Sequence, residues 1–163
     1  MEREALLGRP VRRSRTLRAK IGAMRVLFLD FDGVVSPGPD IETRLPLWVW
    51  LPALSRLLSG HPDVRVVVHS TWRYDYDLDE LRELLGSLGS RVLDVVPQGA
   101  RWESIQAWLA QHGRGVKSWR VLDDAPGEFP VPAPAQLIVC NPASGVSAPD
   151  VQAALREWLE GNA

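Results

Sequence analysis

Four acidic residues stand out for where they sit in the chain. Asp30 and Asp32 lie in Asp30-Phe31-Asp32-Gly33, directly after the apolar run Arg25-Val26-Leu27-Phe28-Leu29, and Asp123-Asp124 directly follows Val121-Leu122. Two carboxylates two residues apart at the end of a buried strand repel each other, and one pKa rises unless a cation intervenes. The usual cation for all-oxygen ligands is Mg²⁺. If the two apolar runs are parallel strands of one sheet, the four carboxylates meet at one edge. A divalent metal then balances them more simply than a separate cationic partner for each. Gly33 permits a sharp departure of the chain and a close backbone approach to a ligand.

A second constellation follows Val66-Val67-Val68, where the chain reads His69-Ser70-Thr71-Trp72-Arg73. The Ser70 or Thr71 hydroxyl at such a strand end can hydrogen-bond a phosphate oxygen, and Arg73 can grip phosphate with its two-pronged guanidinium. Either hydroxyl fits at this stage. Arg101 opens a helical stretch 22 residues before Asp123 and can reach the same edge to neutralise a phosphate and a nucleophile. Lys117 is the rival cation, but it precedes the fourth strand and belongs at the opposite end of the sheet. Trp72, Tyr74 and Tyr76 could stack a nucleobase beside the phosphate or simply pack locally, and the neighbouring Asp75, Asp77 and Asp79 would repel a nucleic-acid backbone. His69 could tune the site or only end its strand, and the second reading is preferred. His61, His112 and Cys140 have no partners at ligand spacing and receive no role.

These residues need a scaffold that brings strand ends together. Strand-like runs at 25–29, 64–68, 91–96, 119–122 and 136–140 alternate with helix-like stretches at 47–60, 78–88, 102–112 and 151–159. The helix assignments rest on apolar periodicity, as in Leu78, Leu81, Leu84, Leu85 and Leu88 on one face. Continuous apolar strands are those buried on both faces. The pattern predicts a three-layer, doubly wound α/β domain with a mainly parallel five-stranded sheet, and ligands at the carboxyl ends of its strands. Trp48, Trp50, Trp102, Trp108, Trp119 and Trp158 are expected in the core.

The composition excludes several other classes. With 163 residues, 45% apolar and 24% charged, the chain suits one compact domain and not a disordered one. A single cysteine argues against a disulfide framework. No apolar run approaches the roughly 20 residues that cross a bilayer, so no membrane partner is expected and the location is taken as cytoplasmic. The net charge of −1 is uneven: residues 1–23 carry +5 and the domain from Met24 onward carries −6. That leader lacks the apolar core of a secretory signal. Three readings stay open for it: a nucleic-acid-binding arm, a disordered tail, or a start placed upstream of Met24, the chain's other methionine. With 17 Arg and 2 Lys, its arginine richness reflects the whole chain's bias.

Taken in order, Asp30-x-Asp32-Gly33, Ser70/Thr71, Arg101 and Asp123-Asp124 resemble the motifs of the haloacid dehalogenase (HAD) superfamily of phosphohydrolases. Ser70-Thr71-Trp72-Arg73, the Arg101…Ile105…Trp108-Leu109 helix, Leu122-Asp123-Asp124 and Asn141-Pro142…Gly145 are similar to the small HAD domains of RNA-repair polyproteins. The resemblance implies that Asp30 attacks phosphorus to form an aspartyl-phosphate and that Asp32 serves as acid and then base. It implies that Asp30, the Asp32 main-chain carbonyl, Asp123 and Asp124 hold Mg²⁺, that Ser70 binds a phosphate oxygen, and that Arg101 screens the charge. Arginine departs from the lysine more usual at that last position. Dehalogenases of the superfamily lack the second aspartate, so Asp32 favours phosphoryl transfer. Only about 14 residues separate the first motif from the next helix, which implies a minimal cap and an open site. The implied substrate is a phosphomonoester on a small molecule, a nucleotide or a nucleic-acid end. The competing class is a non-catalytic, RNA-associated binding or regulatory module with the same fold.

Overall fold

A computed structural model describes residues 24–161, so the basic leader expected at 1–23 lies outside the described residues. Five strands, β1 (Met24–Leu29), β2 (Val64–Val68), β3 (Val92–Val95), β4 (Val116–Asp123) and β5 (Leu137–Val139), form one sheet. Every pairing is parallel and the order is β3-β2-β1-β4-β5. Three helices, α1 (Leu51–Leu58), α2 (Leu78–Leu84) and α3 (Arg101–His112), connect successive strands from β1 to β4, and α4 (Pro149–Leu159) follows β5.

Alternation along the strands divides the core in two. Leu27, Leu29, Val66, Val68 and Leu122 face one side, where they pack with Leu51, Leu54 and Leu58 of α1, Leu81 of α2, and Leu155 and Trp158 of α4. Val26, Phe28, Val67 and Val121 face the other, against Ile105 and Trp108 of α3. The sheet is thus covered on both faces, as its near-continuous apolar strands require. Trp50, Trp108 and Trp158 are buried, whereas Trp48, Trp102 and Trp119 only flank the core.

The strand order reverses at β1, whose neighbours are β2 on one side and β4 on the other. Connections leave this switch point in opposite directions, which opens a crevice at the carboxyl ends of β1 and β4. In register Leu29 pairs with Val68 and with Leu122, so the next residues, Asp30, His69 and Asp123, fall side by side at that crevice.

Some boundaries differ from the periodicity. The helix expected from residue 47 begins at Leu51, because Trp48 takes φ 64° and its amide donates to Ser36 Oγ at 2.7 Å. The helix expected to reach Leu88 ends at Leu84, and a 3₁₀ stretch (Gly86–Arg91) follows from Gly86 at φ 52°. Leu85 and Leu88 stay buried all the same. β4 starts at Val116, three residues before the apolar run, since pairing with β1 carries its polar first half along.

At the opposite end of the sheet, Arg25 ties β1 to its surroundings. Its Nε and Nη2 donate to the two Asp63 carboxylate oxygens at 2.7 and 3.1 Å, and Nη1 donates to the Trp158 and Leu159 carbonyls at the end of α4. The Arg25 hydrogen bond holds Asp63 below its usual pKa. A depressed carboxylate pKa stabilises the fold above the ordinary Asp range and loses that effect as pH falls through the depressed value. Asp63→Asn should therefore cost about 1 kcal/mol or less at neutral pH, given the partly exposed carboxylate. In urea titrations the deficit should close as the pH is lowered below 4.

Candidate active site

Asp30 follows β1 and Asp123 ends β4, with the Asp30 amide donating to the Leu122 carbonyl at 3.2 Å. Carboxylate oxygens of Asp30, Asp123 and Asp124 all lie within 4.8 Å of one another, the first two residues being buried. Arg101, the first residue of α3, places Nη1 2.7 Å from Asp123 Oδ1, 3.2 Å from Asp30 Oδ2 and 3.9 Å from Asp124 Oδ1. One guanidinium thus serves three carboxylates. Lys117 lies near the start of β4, at the far end of the sheet as expected.

The charge is not balanced by Arg101 alone. Burial, and then Asp123, raise Asp30 well above its ordinary value against the opposing pull of Arg101 and the Phe31 amide. Burial and Asp123 likewise raise Asp124. Arg101 is itself buried enough to disfavour its charge, yet Asp30, Asp123 and Asp124 outweigh that and raise its pKa. Three converging carboxylates with one cation leave room in the charge balance for a divalent ion, and their all-oxygen donors suit a hard one. The group fits the residues present: Asp30, Asp123 and Asp124 would supply the side-chain ligands.

Gly33 is required by this arrangement. It takes φ 79°, and a Cβ there would strike the Asp124 carboxyl group. The close approach foreseen for a ligand is made by a side chain of the protein. Asp32, two residues after Asp30, stands outside the trio: its Oδ2 accepts the Trp72 indole N–H at 3.1 Å. Any metal contact by Asp32 therefore falls to its main-chain carbonyl.

After β2, Ser70 is buried and its Oγ accepts the Trp72 amide at 3.2 Å, whereas Thr71 is exposed. The buried strand-end position belongs to Ser70. Arg73 corrects the expectation that it grips phosphate. Its Nη1 donates to the His69 and Ser70 carbonyls at 2.7 and 3.0 Å, and its Nη2 to the Gly99 carbonyl at 2.9 Å. Nη2 also donates to Tyr74 Oη at 3.3 Å, and through these bonds Arg73 staples the loop after β2 to the loop before α3.

His69, for which the sequence favours the strand-end reading, lies in the site. Its Nε2 lies 2.7 Å from Asp123 Oδ2, with both side chains wholly buried. Burial lowers its pKa despite Asp123, so the neutral ring donates its Nε2 proton and holds Asp123 with Oδ1 toward Arg101. Strand register could have found it, since His69 lies opposite Asp30 once β1 and β2 are paired. Cys140 is buried beside the acids and its thiol is pushed up to about 12, chiefly by burial, which leaves it unreactive.

Phe31, Trp48, Trp72 and Tyr76 form a chain of aromatic contacts at the mouth, with Trp72 and Tyr76 stacked at 5.5 Å and 22°. A cavity of about 240 Å³ beside them is lined by Thr71, Trp72, Asp75 and Tyr76. A larger one, of about 440 Å³, lies between α1 and α4. It includes His61, just before β2, and so sits at the opposite end of the sheet from the acids.

Residues 26–151 match the family model of the HAD domain in Swiss Army Knife RNA repair proteins. No curated protein matches the chain. No helix among the described residues is long and apolar enough to cross a membrane.

Repulsion in the trio makes a stability test of the site. In metal-free protein, Asp124→Asn should raise the melting temperature, and the gain should grow with pH because a raised carboxylate pKa is costly only when the group is ionised. Adding millimolar Mg²⁺ should stabilise the wild type and not the variant. Thermal melts with and without Mg²⁺ or EDTA check both.

Proposed function

The chain belongs to the family of HAD domains found in Swiss Army Knife RNA repair proteins, and from that membership we propose that it is a Mg²⁺-dependent phosphomonoester hydrolase working through an aspartyl-phosphate. The observation that carries the proposal is the division of labour among its acids. Asp30, Asp123 and Asp124 converge on one point under Arg101, while the Asp32 carboxylate is held apart by Trp72. A purely structural cluster has no need of a separate fourth acid at its rim.

In the first half-reaction an Asp30 carboxylate oxygen bonds to phosphorus as the bond to the leaving oxygen breaks, and protonated Asp32 gives that oxygen its proton. In the second, Asp32 takes a proton from water as the water oxygen bonds to phosphorus. The Asp30–phosphorus bond then breaks, which releases inorganic phosphate and restores both acids. Arg101 offsets the charge of nucleophile and phosphate as they meet. Ser70, buried at the end of β2, is the hydroxyl suited to a phosphate oxygen. Bound Mg²⁺ would supply Lewis-acid screening of the phosphate. His69 keeps Asp123 turned to the cluster.

The substrate proposed is a nucleotide or a nucleic-acid end. Tyr74 and Tyr76 are 47% and 37% exposed beside the site, and the outer face of the Tyr76–Trp72 stack can take a base. Asp75, lining the same cavity, disfavours a continuous phosphate backbone there and favours a terminal nucleotide.

With Mg²⁺ the protein should hydrolyse p-nitrophenyl phosphate, and Asp30→Asn should reduce turnover at least about 10³-fold. Acid-quenched protein incubated with labelled substrate should carry acyl-phosphate on Asp30. No turnover over a broad phosphate panel together with no Mg²⁺ binding would sink the enzyme assignment. Tyr76→Ala should raise KM for nucleoside monophosphates by about 5- to 100-fold, the range expected for loss of one stacked base. The rise should be smaller for glycerol phosphate.

A further inference from the structure

Asp32 has the least help from the sheet. It stands beyond the end of β1, and its carboxyl group must come within about 3 Å of first one oxygen and then another. The side-chain bond it makes is to the Trp72 indole, Nε1 to Oδ2 at 3.1 Å. We propose that Trp72 is a positioning residue for acid–base catalysis, fixing the orientation of the Asp32 carboxyl group and so which of its oxygens faces the reacting groups. The inference rests on the acid–base role proposed above for Asp32.

Three observations support it. The indole is immobilised on several sides: Phe31 and Trp48 meet it edge-on at 6.0 and 5.2 Å, and Tyr76 stacks at 5.5 Å. Its backbone is fixed as well, because the Trp72 amide donates to Ser70 Oγ. The Asp32 carboxyl is therefore tied to a rigid object and not to a swinging chain, which limits the misplacement that costs rate. The third point is the kind of donor. An indole N–H can only donate and carries no charge.

The bond also distinguishes the two oxygens. Oδ2 is engaged by the indole N–H, which leaves Oδ1 as the oxygen that exchanges a proton. In the first step the Oδ1 proton passes to the leaving oxygen as its bond to phosphorus breaks. In the second, Oδ1 receives the proton of the attacking water as the Asp30–phosphorus bond breaks. Trp72 itself exchanges no proton in either step.

The test is the dependence of kcat/KM on leaving-group pKa, measured over a series from p-nitrophenyl to alkyl phosphates. A good leaving group departs without a proton, whereas an alkoxide needs one. Trp72→Phe keeps an aromatic ring in the cluster and removes the donor. It should lower kcat/KM for alkyl phosphates by about 10- to 100-fold, a part of the usual general-acid contribution. For p-nitrophenyl phosphate the loss should be only a few-fold, so the slope steepens. In an Asp32→Asn background the same change should add little, as expected when one residue acts through the other. Equal losses across the series, or a full additional loss in the Asp32→Asn background, would overturn the inference. Should Trp72→Phe fail to fold, benzothienylalanine at position 72 retains the shape with sulfur in place of the N–H and must give the same steepening. If Asp32→Asn alone leaves alkyl phosphate hydrolysis intact, the acid–base role falls, and the Trp72 inference falls with it. If Asp32→Asn is impaired and the Trp72 slope is unchanged, only the Trp72 inference falls.

Discussion

The structure is organised around an electrostatic conflict, the repulsion among Asp30, Asp123 and Asp124 at the ends of two adjacent strands. Buried carboxylates so close together raise one another's pKa and resist ionisation together. Arg101 relieves part of this by touching all three, and His69 by donating to the far oxygen of Asp123. Neither cancels it. The residual negative charge is the physical basis for assigning the site to a divalent cation; it adds to the burial that raises Asp30 and Asp124, and the same carboxylates raise Arg101.

Much of the rim exists to keep that conflict in place. Gly33 turns the chain under the Asp124 carboxyl, where a side chain would collide. Arg73 joins the loop after β2 to the loop before α3 through three carbonyls, which positions Ser70 and the start of α3 together. The aromatic group of Phe31, Trp48, Trp72 and Tyr76 braces the loops after β1 and β2 against each other. The cap is minimal, so side chains of the loops form the mouth of the site. The proposed nucleotide substrate rests on the exposed Tyr74 and Tyr76 at that rim.

The elements were largely legible because their signals are local. Apolar runs marked the five strands, and leucine spacing marked α2, even though its last turn departs as a 3₁₀ stretch. The acids were legible because each followed a strand. The errors share a cause. Arg73 has the side chain of a phosphate ligand, and only the packed loops show that carbonyls use its fork. Trp48 belongs to a helical apolar pattern, and only a tertiary bond from its amide to Ser36 explains its left-handed backbone. His69 reads as a strand end until β1 and β4 are placed beside it.

The sequence by itself determined the α/β architecture and the end of the sheet at which the acids and Arg101 lie, since these follow from periodicity and from residues adjacent to strand ends. Tertiary structure decided how those residues divide their work. Which carboxylates converge, which stands apart on an indole, and which arginine holds the framework all depend on distances between segments 26 to 94 residues apart in the chain. Such distances are set by strand order at the switch point and by loop packing, and no local pattern of side chains encodes them.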